Sequence, residues 1–181
     1  MLYIMRHGKT DWNAKHKLQG RTDIPLNQDG RRMAENAGKE YGNVHFDICY
    51  CSPLIRAKET AELVLRGRNV PIVIDERLQE MGFGVFEGTE NSFQIPDCPI
   101  NVLFDHPERY QPVEDGESLQ ALYARTGDFL REIVEPALKQ GKDILIVGHG
   151  AMNLSIVCQI KEIPVEKFWS VEIENCKLMR L

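Results

Sequence analysis

An α/β fold with a largely parallel sheet covered by helices on both faces is predicted by three features of the sequence. Short apolar runs recur at Leu2–Met5, Phe46–Cys51 and Ile144–Val147, and they read as strands buried on both sides. Segments with the 3.6-residue period separate them. Glycines, prolines and capping residues mark the junctions. Strands alternating with helices in this way build a three-layer α/β/α sandwich, whose ligands bind at the carboxyl ends of the strands.

Each element follows from local pattern. Leu2–Met5 is a strand running into the loop Arg6-His7-Gly8. From Asn27 to Tyr41, the residues Met33, Ala34, Ala37 and Tyr41 fall at helical spacing, and Gly42 is the stop signal. Phe46–Cys51 is the second strand. Ser52 and Pro53 then read as N-cap and first helical position of a helix with Leu54, Ala57, Ala61 and Leu65 on one side. Ile72–Ile74 is a third strand. From Glu117 to Leu138 runs the longest helical pattern, and Pro136 is expected to kink or end it. Asp143–Val147 is the fourth strand, Ala151–Ile160 a short helix, and the alternation over Phe168–Ile173 predicts a last, edge strand. Between Thr89 and Val113 four prolines accompany no regular period, so residues 89–116 read as a small cap-like excursion.

The 181 residues suffice for one sizeable core, and a single domain over 1–181 is expected. A net charge of −5 argues against a nucleic-acid partner, which calls for a basic face. The apolar start, Met1–Met5, is too short for a signal peptide, and no later run reaches the length of a membrane span, so a cytoplasmic protein without a membrane partner is expected. The five cysteines are odd in number and scattered, which reads as buried free thiols.

Three apolar strands end in residues suited to phosphate. The first leads into Arg6-His7-Gly8, the second into Ser52-Pro53-Leu54-Ile55-Arg56, the fourth into Gly148-His149-Gly150. If these strands are parallel, two arginines, two histidines and at least one helix N-terminus surround a single point. Gly8 and Gly150 are expected to let backbone amides approach an anion. An arginine fork matches phosphoryl oxygens, and fixed cations are the main device for stabilising a phosphoryl group in transfer. Taken singly, each motif has an ordinary structural explanation. Their joint placement is what points to chemistry.

These motifs resemble the histidine phosphatase superfamily, in its phosphoglycerate-mutase-like branch, over nearly the whole chain. The signature segments are Arg6-His7-Gly8-Lys9-Thr10 with Asn13, Leu18 to Asp23, Pro25 to Gly30, Ser52 to Ala57 with Thr60-Ala61, Leu78 to Gly88, Asp115 to Leu119, and Gly148-His149-Gly150. The resemblance implies a phosphoglycerate-mutase-like fold and a metal-independent enzyme. It implies His7 as the nucleophile that becomes phosphohistidine, with Arg6, Arg56 and His149 holding the phosphoryl group. Asn13 and the backbone near Gly20 and Gly150 would assist, and Glu80 would be the general acid. Two departures stand out: Lys9 where relatives commonly carry glutamate, and Leu154 where many carry a basic residue.

The expected function is hydrolysis of a small phosphate monoester through a phosphohistidine. A 2,3-bisphosphoglycerate-dependent phosphoglycerate mutase is the alternative; it alone would need a cofactor, the bisphosphate. The compact chain favours the phosphatase, since a mutase must enclose its intermediate. A non-catalytic phosphoester binder has no need of a nucleophile or an acid. A metal site built from His7, His149 and cysteines would place arginines against the ion. Phe83, Val85, Phe86, Phe93, Phe104 and Tyr110 are candidates for specificity, with a core role equally open. Neither the physiological ester nor the oligomeric state is legible in the sequence.

Overall fold

Alternation along the apolar strands divides their side chains between two cores. In the computed structural model, which describes residues 1–181, Leu2 and Ile4 of β1 (Leu2–Arg6) face one core and Met5 the other. Ile144 and Ile146 of β4 (Ile144–Gly148) join the first, Leu145 and Val147 the second. Cys49 and Cys51 of β2 (Ile48–Cys51) also face the second. With β3 (Ile72–Ile74) and β5 (Leu178–Arg180) the sheet has the order β3-β2-β4-β1-β5. All neighbours are parallel except β1 and β5. Strands covered on both faces need no polar side, which is why these runs are continuously apolar.

One single-turn helix, α1 (Asp11–Ala14), follows β1. Helices α2 (Gln28–Glu40) and α3 (Ile55–Val64) cover one face, contributing Ala34, Ala37, Ala57, Ala61 and Val64 to its core. After the short α4 (Asn101–Asp105), helices α5 (Leu119–Phe129), α6 (Glu135–Lys139) and α7 (Gly150–Ile160) cover the other. Eight consecutive residues of α7, Ala151 to Cys158, are buried, so this helix is embedded all round. No helix is long and apolar enough to cross a membrane. All five cysteines are free and buried.

The structure corrects four expectations. The last strand is Leu178–Arg180, while the expected strand over Phe168–Ile173 begins within a 3₁₀ segment, Val165–Ser170. Phe168 is completely buried and the next ring, Trp169, packs on it edge-to-face at 4.9 Å, an adjacency that a strand's alternating faces forbid. The helix after β2 starts at Ile55; Ser52 and Pro53 precede it, Leu54 holds the cap position, and Ser52 Oγ accepts from the Leu54 amide. The long helical segment starts at Leu119 under a Ser118 cap and runs to Lys139 without ending at Pro136. A π turn, Leu130–Val134, precedes the proline, and the wider turn relieves the clash its ring would make with the preceding carbonyls. Residues 89–116 carry α4 and two 3₁₀ turns, and Cys98, Ile100, Leu103 and Tyr110 anchor them in the larger core.

Candidate active site

Strand register brings the three motifs to one edge. Arg6 pairs with Gly148, and Cys51 with Val147, so β1, β2 and β4 end side by side. The ladder continues one residue further, through His7 N–H to Gly148 O (2.9 Å) and Ser52 N–H to Val147 O (3.1 Å). The rings of His7 and His149 then lie with centroids 5.2 Å apart, both almost wholly buried. Beside them opens a cavity of about 160 Å³, lined by Arg6, His7, Asn13, Gly20, Arg56, Glu80 and Gly150, with Phe83, Phe104 and Trp169 along its wall. A larger groove of about 360 Å³ at the other end of the sheet, around Leu130 and Ile160, contains no histidine or cysteine.

His7 is oriented through its ring. Its Nδ1 lies 2.6 Å from Gly8 O, an atom that only accepts, so Nδ1 carries the proton and Nε2 keeps its lone pair. Nε2 makes no hydrogen bond and is the ring nitrogen left open to the cavity. Burial pushes this imidazole well below its ordinary 6.5, and the charges of Arg56 and Arg6 lower it further, against a smaller opposing effect of the Gly8 bond. His149 is pushed down in the same way, first by burial and then by Arg56. Both rings are therefore neutral at physiological pH, the state a nitrogen nucleophile requires.

The cations are held by backbone. Arg56 is fully buried and donates to Gly20 O (2.6 Å) and Thr22 O (2.8 Å). Burial brings its pKa down to about 10, opposed chiefly by Glu80, so it stays charged at neutral pH. Arg6 donates to Ile173 O (3.3 Å), and burial lowers its pKa against the pull of Glu80. Arg6 Nε, Arg56 Nε and His149 Nδ1 are buried with no protein partner. Buried polar atoms are rarely left so, and these three, at the end of β1, in the first turn of α3 and just past β4, form a set suited to an oxyanion ligand.

Glu80 is buried against the N-terminus of α7. Oε1 accepts from Met81 N and Met152 N (2.8 and 2.9 Å), and Oε2 from Gly150 N and Ala151 N (2.9 and 3.3 Å). A carboxylate there meets unpaired helical amides and the positive end of the dipole. The positions expected to assist also gather at the cavity. Asn13 Oδ1 accepts from Thr10 N in a capping box, leaving its amine unpartnered, and Gly20 sits at φ +55° with its carbonyl on Arg56.

The two motif glycines do different work from that expected. A Cβ on Gly8 would lie 2.5 Å from Gly30 O, and the Gly8 amide donates to Thr60 Oγ1 (3.0 Å), so Gly8 is required by chain packing and its N–H is already taken within the protein. The Gly150 amide is taken by Glu80 Oε2 (2.9 Å), and a Cβ there would meet Glu80 Oε2 and Arg6 Cζ at 3.6 and 3.7 Å, ordinary contact distances at the edge of the cavity. Lys9 and Leu154 border an adjoining groove that shares Arg6 and Gly150 with the cavity.

Sequence reasoning missed several supporting residues. Ser52 Oγ is hydrogen-bonded to His149 Nε2 (2.7 Å), a role hidden behind its resemblance to a helix cap. Asn175 donates to His7 O (2.6 Å), and Trp169 closes the wall with its indole N–H on Leu103 O (2.8 Å). Neither lies in a signature segment, and only the tertiary fold brings them near. Among the specificity candidates, Phe83 and Phe104 reach the cavity, Val85 and Phe93 are exposed, Phe86 is partly buried against the larger core, and Tyr110 is buried in it.

A paired-histidine, paired-arginine oxyanion site at the carboxyl edge of a parallel sheet defines a phosphoryl-handling α/β protein. The signature of the histidine phosphatase superfamily (branch 1) matches residues 2–181, and the chain belongs to that family. A 2,3-bisphosphoglycerate-dependent phosphoglycerate mutase of Cytophaga hutchinsonii is 32% identical over 96% of this chain and 83% of its own length. Among solved structures, YhfR of Bacillus stearothermophilus superposes with a TM-score of 0.88 at 33% identity, covering 98% of this chain and 88% of that one. A phosphoserine phosphatase of Entamoeba histolytica, solved with phosphoserine, gives a TM-score of 0.83 at 26% identity over 98% and 87%. The relatives are phosphatases and mutases of small phosphorylated compounds, and the chain is an enzyme of this metal-independent family.

Proposed function

We propose that this chain hydrolyses a small phosphate monoester by transferring the phosphoryl group to His7 Nε2 and then to water. The observation that carries the reading is the free lone pair of a buried, neutral imidazole facing the same cavity as two guanidinium groups. In the first step the N–P bond forms, the ester P–O bond breaks, and Glu80 gives its proton to the departing oxygen. In the second, water attacks phosphorus, Glu80 takes its proton, and the N–P bond breaks to restore His7. Arg6, Arg56 and His149 hold the equatorial oxygens, where fixed positive charge has most effect. Asn13, Gly20 and Gly150 complete the phosphate pocket. Five buried, unpaired thiols agree with action in the reducing cytoplasm.

The relative from C. hutchinsonii supports a second reading, a mutase primed by 2,3-bisphosphoglycerate. Such an enzyme must hold a second phosphate. Apart from Arg6 and Arg56, the cavity has Lys17 as its one further cation, and its volume is small. We therefore prefer the phosphatase.

The test is direct. The protein should hydrolyse p-nitrophenyl phosphate with EDTA present, form an acid-labile, base-stable phosphoenzyme, and lose at least about 10⁴-fold in kcat on His7→Ala. Retention of activity in that variant would falsify the assignment. Interconversion of 3- and 2-phosphoglycerate stimulated by the bisphosphate, without matching phosphate release, would establish the mutase.

A further inference from the structure

We infer that Arg125 and Glu117 are a positioning pair that sets the general acid Glu80 in place, an inference that rests on the acid role proposed above. Arg125, on α5, forms a two-pronged ion pair with Glu117, Nε to Oε1 at 2.7 Å and Nη2 to Oε2 at 2.9 Å. The same guanidinium reaches the segment that carries the acid at two points. Nη1 donates to Arg77 O, and Nη2 to Glu80 O (3.2 Å). Glu117 grips the other flank of the acid, its N–H donating to Gly82 O (2.9 Å) and its Oε2 accepting from Gly82 N (3.4 Å). Residues 77–82, with Glu80 inside them, are thus clamped from both sides by one ion pair.

Leu78 and Met81 of this segment are anchored in the larger core, but Glu80 lies between them, beyond a three-residue edge strand and a single 3₁₀ turn, Glu76–Leu78, and outside any regular element. The Glu80 side chain is oriented by the amides at the start of α7, but its main chain is oriented by Arg125, with Arg21 Nε at 3.4 Å as a longer second contact. Both members of the pair are largely buried, at 16% and 7% side-chain exposure, so the pair is screened far less than a surface bridge. An arginine is needed because its planar fork makes four directed bonds at once, which an ammonium cannot reproduce.

A positioned acid matters most when the leaving group is poor, so the pair should be invisible with a good one. Arg125→Met and Glu117→Gln are compared with Glu80→Gln on p-nitrophenyl phosphate and on an alkyl phosphate such as glycerol phosphate. The expected result is a loss of about 10- to 100-fold in kcat on the alkyl ester for either variant, the scale of a misplaced catalytic group. On p-nitrophenyl phosphate the loss should be less than about threefold, because the acid contributes little there. Arg125→Lys should recover little of the alkyl activity. In the double variant with Glu80→Gln, Arg125→Met should add no further loss on the alkyl ester, since no acid remains to be positioned. Equal losses on both esters, or losses that multiply in the double variant, overturn the proposal and assign the pair to stability alone. If Glu80→Gln itself shows no leaving-group dependence, the acid role fails, and this inference fails with it while the His7 assignment stands.

Discussion

At the floor of the cavity His7 and Arg56, with His149 behind them, are almost wholly buried, and each is fixed through one side of its ring or guanidinium: His7 by Gly8 O, Arg56 by Gly20 O and His149 by Ser52 Oγ. Along its wall Phe104 is held by ring contacts with Phe83, Phe93 and Trp169, and Phe93, behind the wall, is 64% exposed. The floor uses directed bonds on a rigid sheet, so each group has one place to be. The wall uses undirected apolar contact on short helical turns, which tolerates substitution. On the function proposed, the chemistry falls to the part held by directed bonds, and the leaving group to the part held by undirected contact. The family's relatives with different substrates share the floor's fold and differ in what they act on.

The contrast breaks first at Arg56. Replacing it with alanine removes a cation from the proposed phosphate site and leaves Gly20 O, which is buried, and Thr22 O, partly buried, without their donor. The expected loss is about 10²–10³-fold in kcat together with about 3 kcal/mol of stability. Stopped assays and urea denaturation measure the two. A stable variant with full activity would mean that the floor is as tolerant as the wall.

Titration of the floor gives the next largest effect. His7 and His149 are depressed below 6.5 in the folded protein, so the unfolded chain binds more protons as the pH falls through that value. Their contribution is complete above pH 6.5 and is lost progressively below it, at a limiting slope of about 1.4 kcal/mol per pH unit for each ring. Denaturation curves between pH 7.5 and pH 5 read this slope, and His149→Gln should remove about half of it.

The wall should respond least. Phe104→Ala is expected to raise KM for an aryl phosphate about tenfold, the worth of one buried apolar contact. Phe93→Ala, largely exposed, should change stability by less than about 0.5 kcal/mol and kcat/KM by less than about twofold. Comparable effects from the two would show that the excursion over 89–116 acts as one rigid lid.

Much of this was legible because strong local signals agreed with the tertiary outcome. The apolar strands, the helices between them and the residues at three strand ends all follow from period and punctuation. Misreadings arose where one local pattern served two structural ends. Ser52 looks like a cap and acts as the partner of His149; Phe168–Ile173 alternates but begins in a 3₁₀ turn; Gly8 looks like an anion site and is a packing contact with Gly30. Glu80 stood out from other carboxylates through the family's motif rather than from its surroundings in the chain. Arg125 gave no signal at all.

The sequence by itself determined the layered architecture and the identity of the groups that meet at the sheet edge, because backbone periodicity and strand ends are local properties written every few residues. Only the tertiary structure decided which nitrogen of His7 is free, which amides hold Glu80 and which ion pair clamps its segment. The first turns on the direction of one ring against its neighbour Gly8, and the others on contacts that join residues 35 to 72 positions apart, none of which a local pattern encodes.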